Sequence, residues 1–434
     1  MSRAAHCLPA CVALAATLAL CTARAETLDD AWRLALSRDR TLAAASSDVE
    51  GARAAERAAR GARWPSIDAN AGYTRLGASP TLDVVTPSFT FLSGPIFRDD
   101  QFVAGSVQVR LPLYAGGRIS SGIDAAHQAA VQASEDEQST TTSLKLDVAE
   151  AYVDVLRSRH ALQAASSSVQ SLTAHAHDVQ HMVERELVSK SDLLAAQVAL
   201  ANAEQTRVRA ENALEIAEAA YNRHLGEPLE RSVELDERIV ADAALPRTPI
   251  DGLVRRALAT RSELRAQAAR ADALASQSRA ESGRTLPQLA LVGGYTHLDN
   301  QILDRQNFST VGVGVTWNLF DGGQASNHAA ALRNASRAAQ DRMDDLRSVV
   351  ELQVRQAWLD VKEAQASVQA SRDAVAQANE NLRTSRELYG AGLATNTQVL
   401  EAITLQITAV NNRDNASLDE SLSLLRLEYA VGAL

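Results

Sequence analysis

Cysteine is confined to the first 21 residues of this 434-residue chain, as Cys7, Cys11 and Cys21. Those residues follow the pattern of an export leader. Arg3 gives a basic start, Leu8 to Cys21 is an apolar run of small residues, and Ala23-Arg24-Ala25 forms an A-x-A cleavage site. Leu18-Ala19-Leu20-Cys21 looks like a lipoprotein box, but Leu20 is bulky where lipidation needs a small residue. Cleavage after Ala25 leaves a chain without cysteine. That excludes disulfides, thiol chemistry and Cys-ligated metal.

Beyond the leader there is no run of about 18 apolar residues, so no transmembrane helix is available. Basic residues are in deficit. Loss of Arg3 and Arg24 from the 43 basic residues leaves 41 against 53 acidic, a net charge of −12, which argues against nucleic acid as a partner. A glycine-rich phosphate loop, a nucleophile elbow and a zincin helix are also missing. Gly116-Gly117 and Gly322-Gly323 lack a following Lys-Ser/Thr. Neither catalysis nor a cofactor is expected, and an exported chain of this kind can enter a membrane only as β-strands.

What is present is a duplication. LPLYAGGRISS at Leu111 shifts by 206 residues onto WNLFDGGQASN at Trp317, and LDVAEAYVDVL (Leu146–Leu156) shifts onto LQVRQAWLDVK (Leu352–Lys362) without a gap. The same offset carries Leu187 onto Leu393, Leu194 onto Leu400 and Gly226 onto Gly432. Upstream the offset is 222: AWRLALSRDRTL at Ala31 matches LVRRALATRSEL at Leu253, and Gly72-Tyr73-Thr74 matches Gly294-Tyr295-Thr296. The 16-residue difference is one insertion between Thr74 and Val103. Two equivalent halves follow, residues 26–227 and 250–434, joined by a linker at 228–249.

Four segments alternate with period two, as half-exposed strands do. Phe102–Tyr114 sets Val103, Val107, Val109 and Leu111 against Ser106, Gln108 and Arg110. Thr310–Phe320 sets Val311, Val313, Val315, Trp317 and Leu319 against Thr316 and Asn318. Ser66–Arg75 and Gln288–His297 repeat the pattern around Tyr73 and Tyr295. Each is about ten residues, the length of a tilted membrane strand, with aromatics toward the ends. The rival is a soluble sandwich, which the very long helical stretches between strand pairs disfavour.

Those stretches carry a seam of Leu144, Val148, Ala151, Val155, Ser158, Leu162, Ala165, Val169, Leu172, Ala176, Val179 and Val183. Its 4,3,4,3 steps make a left-handed coiled-coil seam. Adding 206 gives Val350 through Tyr389 in the same register. A helix of roughly 70 residues is about 100 Å long, a rod or tube rather than a compact domain. Each helix breaks and reverses, at Glu184–Asp192 and at Glu387–Gln398. Ser191, and Thr395 or Thr397, stand where they could cap the returning helices. Single shorter helices, about Leu28–Ala62 and Ile250–Ser282, precede the strand pairs.

Four strands leave two unpaired edges, which lipid does not tolerate. The chain must self-associate to close at 8, 12 or 16 strands. Its order of short helix, two strands and long hairpin, twice over, resembles the TolC family of outer membrane efflux and secretion channels. The motifs carrying the resemblance are LPLYAGG and WNLFDGG, AEAYVDVL and RQAWLDVK, and the tips ELVSKSDLLAAQ and YGAGLATNTQVLEA.

The resemblance spans Glu26–Leu434 and implies a mainly α fold with a membrane β-barrel. A homotrimer would form a 12-stranded barrel in outer membrane lipid, above a periplasmic tunnel of coiled-coil hairpins. The implied partners are a periplasmic adaptor and an inner-membrane transporter, and the implied function is passive efflux of small molecules. Type I protein secretion is the alternative. A periplasmic adaptor and a coiled-coil stalk are rivals of another class.

The resemblance also implies sites. Tyr389 and Gly392 match family positions at the second hairpin tip, where the tunnel narrows to its gate. The family's acidic constriction falls on Gln398 and Glu401, of which Glu401 alone keeps the charge. A gate arginine falls on Ala394, so a weaker ionic lock is expected. Adaptor contact falls on Leu187, Ser191, Asp192 and Leu393, with Glu186 in place of the usual first-tip glycine. Ser106, Gln108, Arg110 and Asn318 would face the barrel lumen.

His175, His177 and His181 form H-x-H-x3-H on the long helix. His175 lies on another face from the other two, no carboxylate completes a ligand set, and solvated surface histidines are expected. The inserted loop, Leu76–Gln101, with Phe89, Phe91, Phe97 and three prolines, is expected to be a folded outer loop.

Overall fold

A computed structural model describes residues 25–86, 89–237, 239, 249–300 and 303–434. Nearly all of the expected leader and the later part of the linker lie outside these residues. Two arms repeat one plan. Helices α1 (Leu28–Arg38) and α2 (Arg40–Gly61) precede strand β1 (Ser66–Arg75), the hairpin β2 (Thr81–Thr86) and β3 (Phe89–Pro95), and strand β4 (Gln101–Tyr114). Helices α3 (Arg118–Glu184) and α4 (Lys190–Leu225) then form a long hairpin. The second arm runs α5 (Ile250–Thr260), α6 (Ser262–Ser282), β5 (Gln288–Leu298), β6 (Asn307–Thr316), α7 (Gln324–Gly390) and α8 (Asn396–Val431).

The duplication is metrically tight: α3 and α7 are both 67 residues, α4 and α8 both 36, and each pair is offset by 206 at both ends. A 67-residue helix spans about 100 Å. Every member of the two coiled-coil seams is buried or half-buried.

Strands β1, β4, β5 and β6 form one antiparallel sheet in that order. Its register places like with like. Ile67 pairs with Val109, Ala69 with Val107, Leu111 with Leu291, and Leu291 with Val313. On the opposite face Ser66 pairs with Arg110, Asp68 with Gln108 and Asn70 with Ser106. Directly opposed residues share a face, so one face is apolar and the other polar. Strands β1 and β6 are free edges.

Four expectations need correction. The inserted loop adds a separate two-stranded sheet, making six strands rather than four among the described residues; Pro87 within it lies outside the described residues. Strand β6 ends at Thr316, so Asn318 and Leu319 lie beyond it. Its partner β5 begins at Gln288, after Pro287, which has no N–H to extend the ladder. Trp317 Nε1 instead donates to the Thr285 carbonyl at 3.0 Å.

The short helices are paired rather than single. Asp39 and Arg261 take extended backbone angles, and the Asp39 side chain caps α2 through Leu42 N–H at 2.8 Å. Lastly, α4 is capped by Ser189 rather than Ser191, and α8 by Thr395, each in a reciprocal box with the residue three places on.

At the strand-to-helix junction Gly116 sits at φ +60 and packs against Gly283 so closely that a Cβ would meet its carbonyl at 2.6 Å. The following loop differs between arms: Asp321 accepts from Gly323 N–H and Ala325 N–H, both at 2.9 Å, where the first arm has Ala115. Those N–H groups, Ala325 first, hold the Asp321 carboxyl below its ordinary value.

Three cores hold the helices. The largest joins α1, α3, α4 and the docked linker residues Val233 and Leu235 around Tyr152 and Tyr221. The Tyr152 hydroxyl is shared between the carbonyls of Glu26 (2.8 Å) and Asp236 (2.7 Å), and the Tyr221 hydroxyl donates to Glu26 Oε1 at 3.1 Å. Arg231 closes the knot on Glu26 Oε2 at 2.8 Å. A second core joins α5, α7 and α8, and a third lies between the two hairpin ends.

Candidate functional site

The third core brings the tips together. Leu172 and Val179 of α3, Ala203 of α4, Leu382 and Tyr389 of α7, and Val399, Ala402 and Ile403 of α8 form one apolar cluster. Both long helices end in the same motif, with Leu187 N–H donating to Met182 and Leu393 N–H to Leu388, at 2.9 and 2.8 Å. That motif needs a left-handed residue. Gly392 supplies it at φ +77, whereas its counterpart Glu186 is forced to φ +56. Glu186→Gly is therefore expected to stabilise the first tip by about 1 kcal/mol. Gly392→Ala should weaken the second tip by a similar amount, both read as amide exchange across the turns.

Tyr389 is buried, and its hydroxyl has no hydrogen-bond partner among the described residues. Burial pushes the phenol above its ordinary value, with nearby Asp192 adding to the effect. Gln398 folds back to accept from Thr395 N–H at 2.8 Å, and Asp192 does the same for Ser189 N–H at 3.3 Å. Both are thus occupied as helix caps. Glu401 is exposed one turn further along α8, on the same face as Gln398. Leu187 and Leu393 are 66% and 76% exposed at the apices, and Ser191 is exposed beside them. Ser106, Gln108 and Arg110 share the polar sheet face, and Asn318 lies past the strand.

One functional group escaped the sequence reading. His175 is 5% exposed rather than solvated. Its Nε2 lies 2.7 Å from Asn396 Oδ1, and Asn396 Nδ2 donates to the Asp192 carbonyl at 3.0 Å. The Tyr389 ring lies 5.7 Å from the imidazole. A polar chain thus crosses from α3 to α8 to α4. Burial lowers the His175 pKa, and the Asn396 hydrogen bond opposes that shift. The seam register could have flagged it, since His175 directly precedes the seam residue Ala176. His177 and His181 are exposed and bond each other at 3.2 Å. Among the described residues no group of three or more potential ligands could hold a metal ion.

Comparison with known proteins agrees with this architecture. The family model described as "Outer membrane efflux protein" matches residues 31–227 and 253–433, leaving out the linker. Outer membrane protein TolC of Vibrio cholerae is 26% identical over 420 residues, covering 94% of this chain and 91% of that protein. The alkaline protease secretion protein AprF of Pseudomonas aeruginosa is 24% identical over 420 residues, covering 93% and 84%. The outer-membrane channel OprN superposes with a TM-score of 0.81 at 18% identity, covering 94% of this chain and 90% of OprN. The family and the fold are those of channel proteins rather than of enzymes. The chain belongs to the outer membrane efflux protein family, and is an outer membrane channel with a helical periplasmic tunnel.

Proposed function

We propose that three copies of this chain close into one passive exit duct. The observation that carries the reading is the amphipathic four-stranded sheet with two free edges, continuous through Gly116 and Gly322 with two helical hairpins. Three such sheets make a 12-stranded barrel, pairing β6 of one copy with β1 of the next and leaving no edge in lipid. Residues 26–227 and 250–434 act as equivalent wall units. Ser106, Gln108 and Arg110 line the pore, and Asn318 sits at its lower rim.

The tips form the periplasmic end. Tyr389, Gly392, Gln398 and Glu401 set the constriction. Leu187, Ser191, Asp192 and Leu393 offer the surface to a periplasmic adaptor, whose inner-membrane transporter supplies the energy. The duct supplies path and gate and has no catalytic step. Small-molecule efflux is the primary reading, supported by the family match. Protein secretion is the second, supported by the likeness to AprF.

Planar-bilayer conductance of detergent-extracted protein, with mass measured by light scattering, tests the duct. Discrete channels from a trimer are expected. A detergent-free soluble monomer, or a bilayer without channels, overturns it. Glu401→Ala should raise conductance at least severalfold if the carboxylates of three copies hold cations at the constriction; unchanged conductance places the constriction elsewhere.

A further inference from the structure

We propose that His175 is a positioning residue of the tip: as a neutral ring it fastens the first hairpin to the second, and its protonation releases them. The inference rests on the reading of the tip as the gate. The fastening is specific in its proton. Asn396 Nδ2 is committed to the Asp192 carbonyl at 3.0 Å, so its Oδ1 must be the acceptor for His175 at 2.7 Å. The ring therefore donates through Nε2–H, and its neutral form carries a bare Nδ1. Among the described residues Nδ1 takes no hydrogen bond.

The surroundings are hostile to a second proton. Leu172 and Val179 lie one turn either side on α3, within the apolar core that also holds Tyr389 and Val399. The charged groups acting on the ring are Arg386 of α7, which disfavours the cation, and Asp178 of its own helix, which favours it. From α4 the contact is through the Asp192 backbone, since that carboxylate is bonded to Ser189. From α8 it is the neutral Asn396 amide. Burial outweighs the rest, and the pKa falls.

The sign follows from linkage. In a parted tip the ring is solvated and titrates near its ordinary value of about 6.5. In the packed tip it titrates lower, so the packed tip binds fewer protons. Above that ordinary value the ring is neutral in both states and the fastening is intact. As pH falls below about 6.5 the parted state gains, by up to about tenfold per chain for each pH unit, until the packed ring itself takes a proton.

Open probability of the purified trimer in planar bilayers, compared at pH 7.5 and 5.5, tests this. The wild type is expected to open more at the lower pH, by up to about tenfold for each chain whose tip must part. His175→Gln keeps an amide N–H near the place of Nε2 and takes no proton, so it should stay closed at both. Asn396→Leu removes the fastening and should be open at both. No wild-type response, or an undiminished response in His175→Gln, overturns the proposal. Channels that ignore Asn396→Leu as well overturn the gate reading on which it rests, and an absence of channels overturns the duct. Should the glutamine variant not assemble, amide exchange in the wild-type trimer over 186–192 and 390–398 decides. Exchange faster at pH 5.5 than at 7.5, after correction for intrinsic rates, supports the proposal, and equal protection refutes it.

Discussion

Val313→Arg is expected to abolish recovery of assembled channel from the outer membrane. Val313 is 60% exposed in the single chain and pairs with Leu291 on the apolar face of the sheet. An arginine near the midplane of a membrane β-barrel costs about 2–4 kcal/mol. In the proposed trimer the substitution is present three times, so the penalty is about 6–12 kcal/mol per assembly, comparable with the whole stability of many domains. The control is on the same strand. Thr310→Arg falls on the opposite face, against Gly294, and should assemble with altered conductance. Heat-resistant trimer on unboiled gels, from outer membrane fractions, reads both. Equal recovery of the two variants would mean that the two faces are not lipid and lumen.

The second large effect is far from the membrane. Tyr152→Ala should destabilise the helical region by about 3–5 kcal/mol. Tyr152 is fully buried, meets Tyr221 edge-on with ring centroids 6.0 Å apart, and its hydroxyl serves two carbonyls. Truncation empties a large, fully buried side-chain site of that core and removes the hydroxyl that joins the Glu26 and Asp236 carbonyls. Tyr152→Phe keeps the ring and should lose only about 1–2 kcal/mol. Denaturant unfolding in detergent, followed at the far-ultraviolet helix signal, separates the two. Burial raises the phenol's pKa far above neutrality, so neither difference should vary with pH between 6 and 8.

Most of this architecture was legible because it is periodic. The 206-residue offset predicted the paired ends of α3 with α7 and of α4 with α8, and the heptad steps marked the buried seams. Period-two alternation located the main strands, since each needs one wet and one dry face. What escaped was aperiodic. Asp39 and Arg261 end one helix and begin another through a single pair of backbone angles, which leaves the hydrophobic pattern undisturbed. Ser189 has an acidic residue three places on, Asp192, and Ser191 has Leu194, so the capping box that starts α4 was readable in the sequence without any periodicity. His175 was misread because its partner Asn396 lies 221 residues away, on the other hairpin. Long-range polar pairs leave no local trace.

The equality of the helix pairs sets which changes in length this chain can absorb. Adding one residue to α3 lengthens it by about 1.5 Å and turns everything beyond it by about 100°. Val179 would leave the tip core and His175 would lose Asn396, unless α7 changed by the same amount. Insertions in the long helices should thus be accepted only in matched pairs and in multiples of seven or eleven, which restore the face. The β2–β3 segment carries no such debt: its 16 extra residues have no counterpart in the second arm, and the main sheet keeps its register regardless. For labelling or display, that hairpin is the place to add sequence.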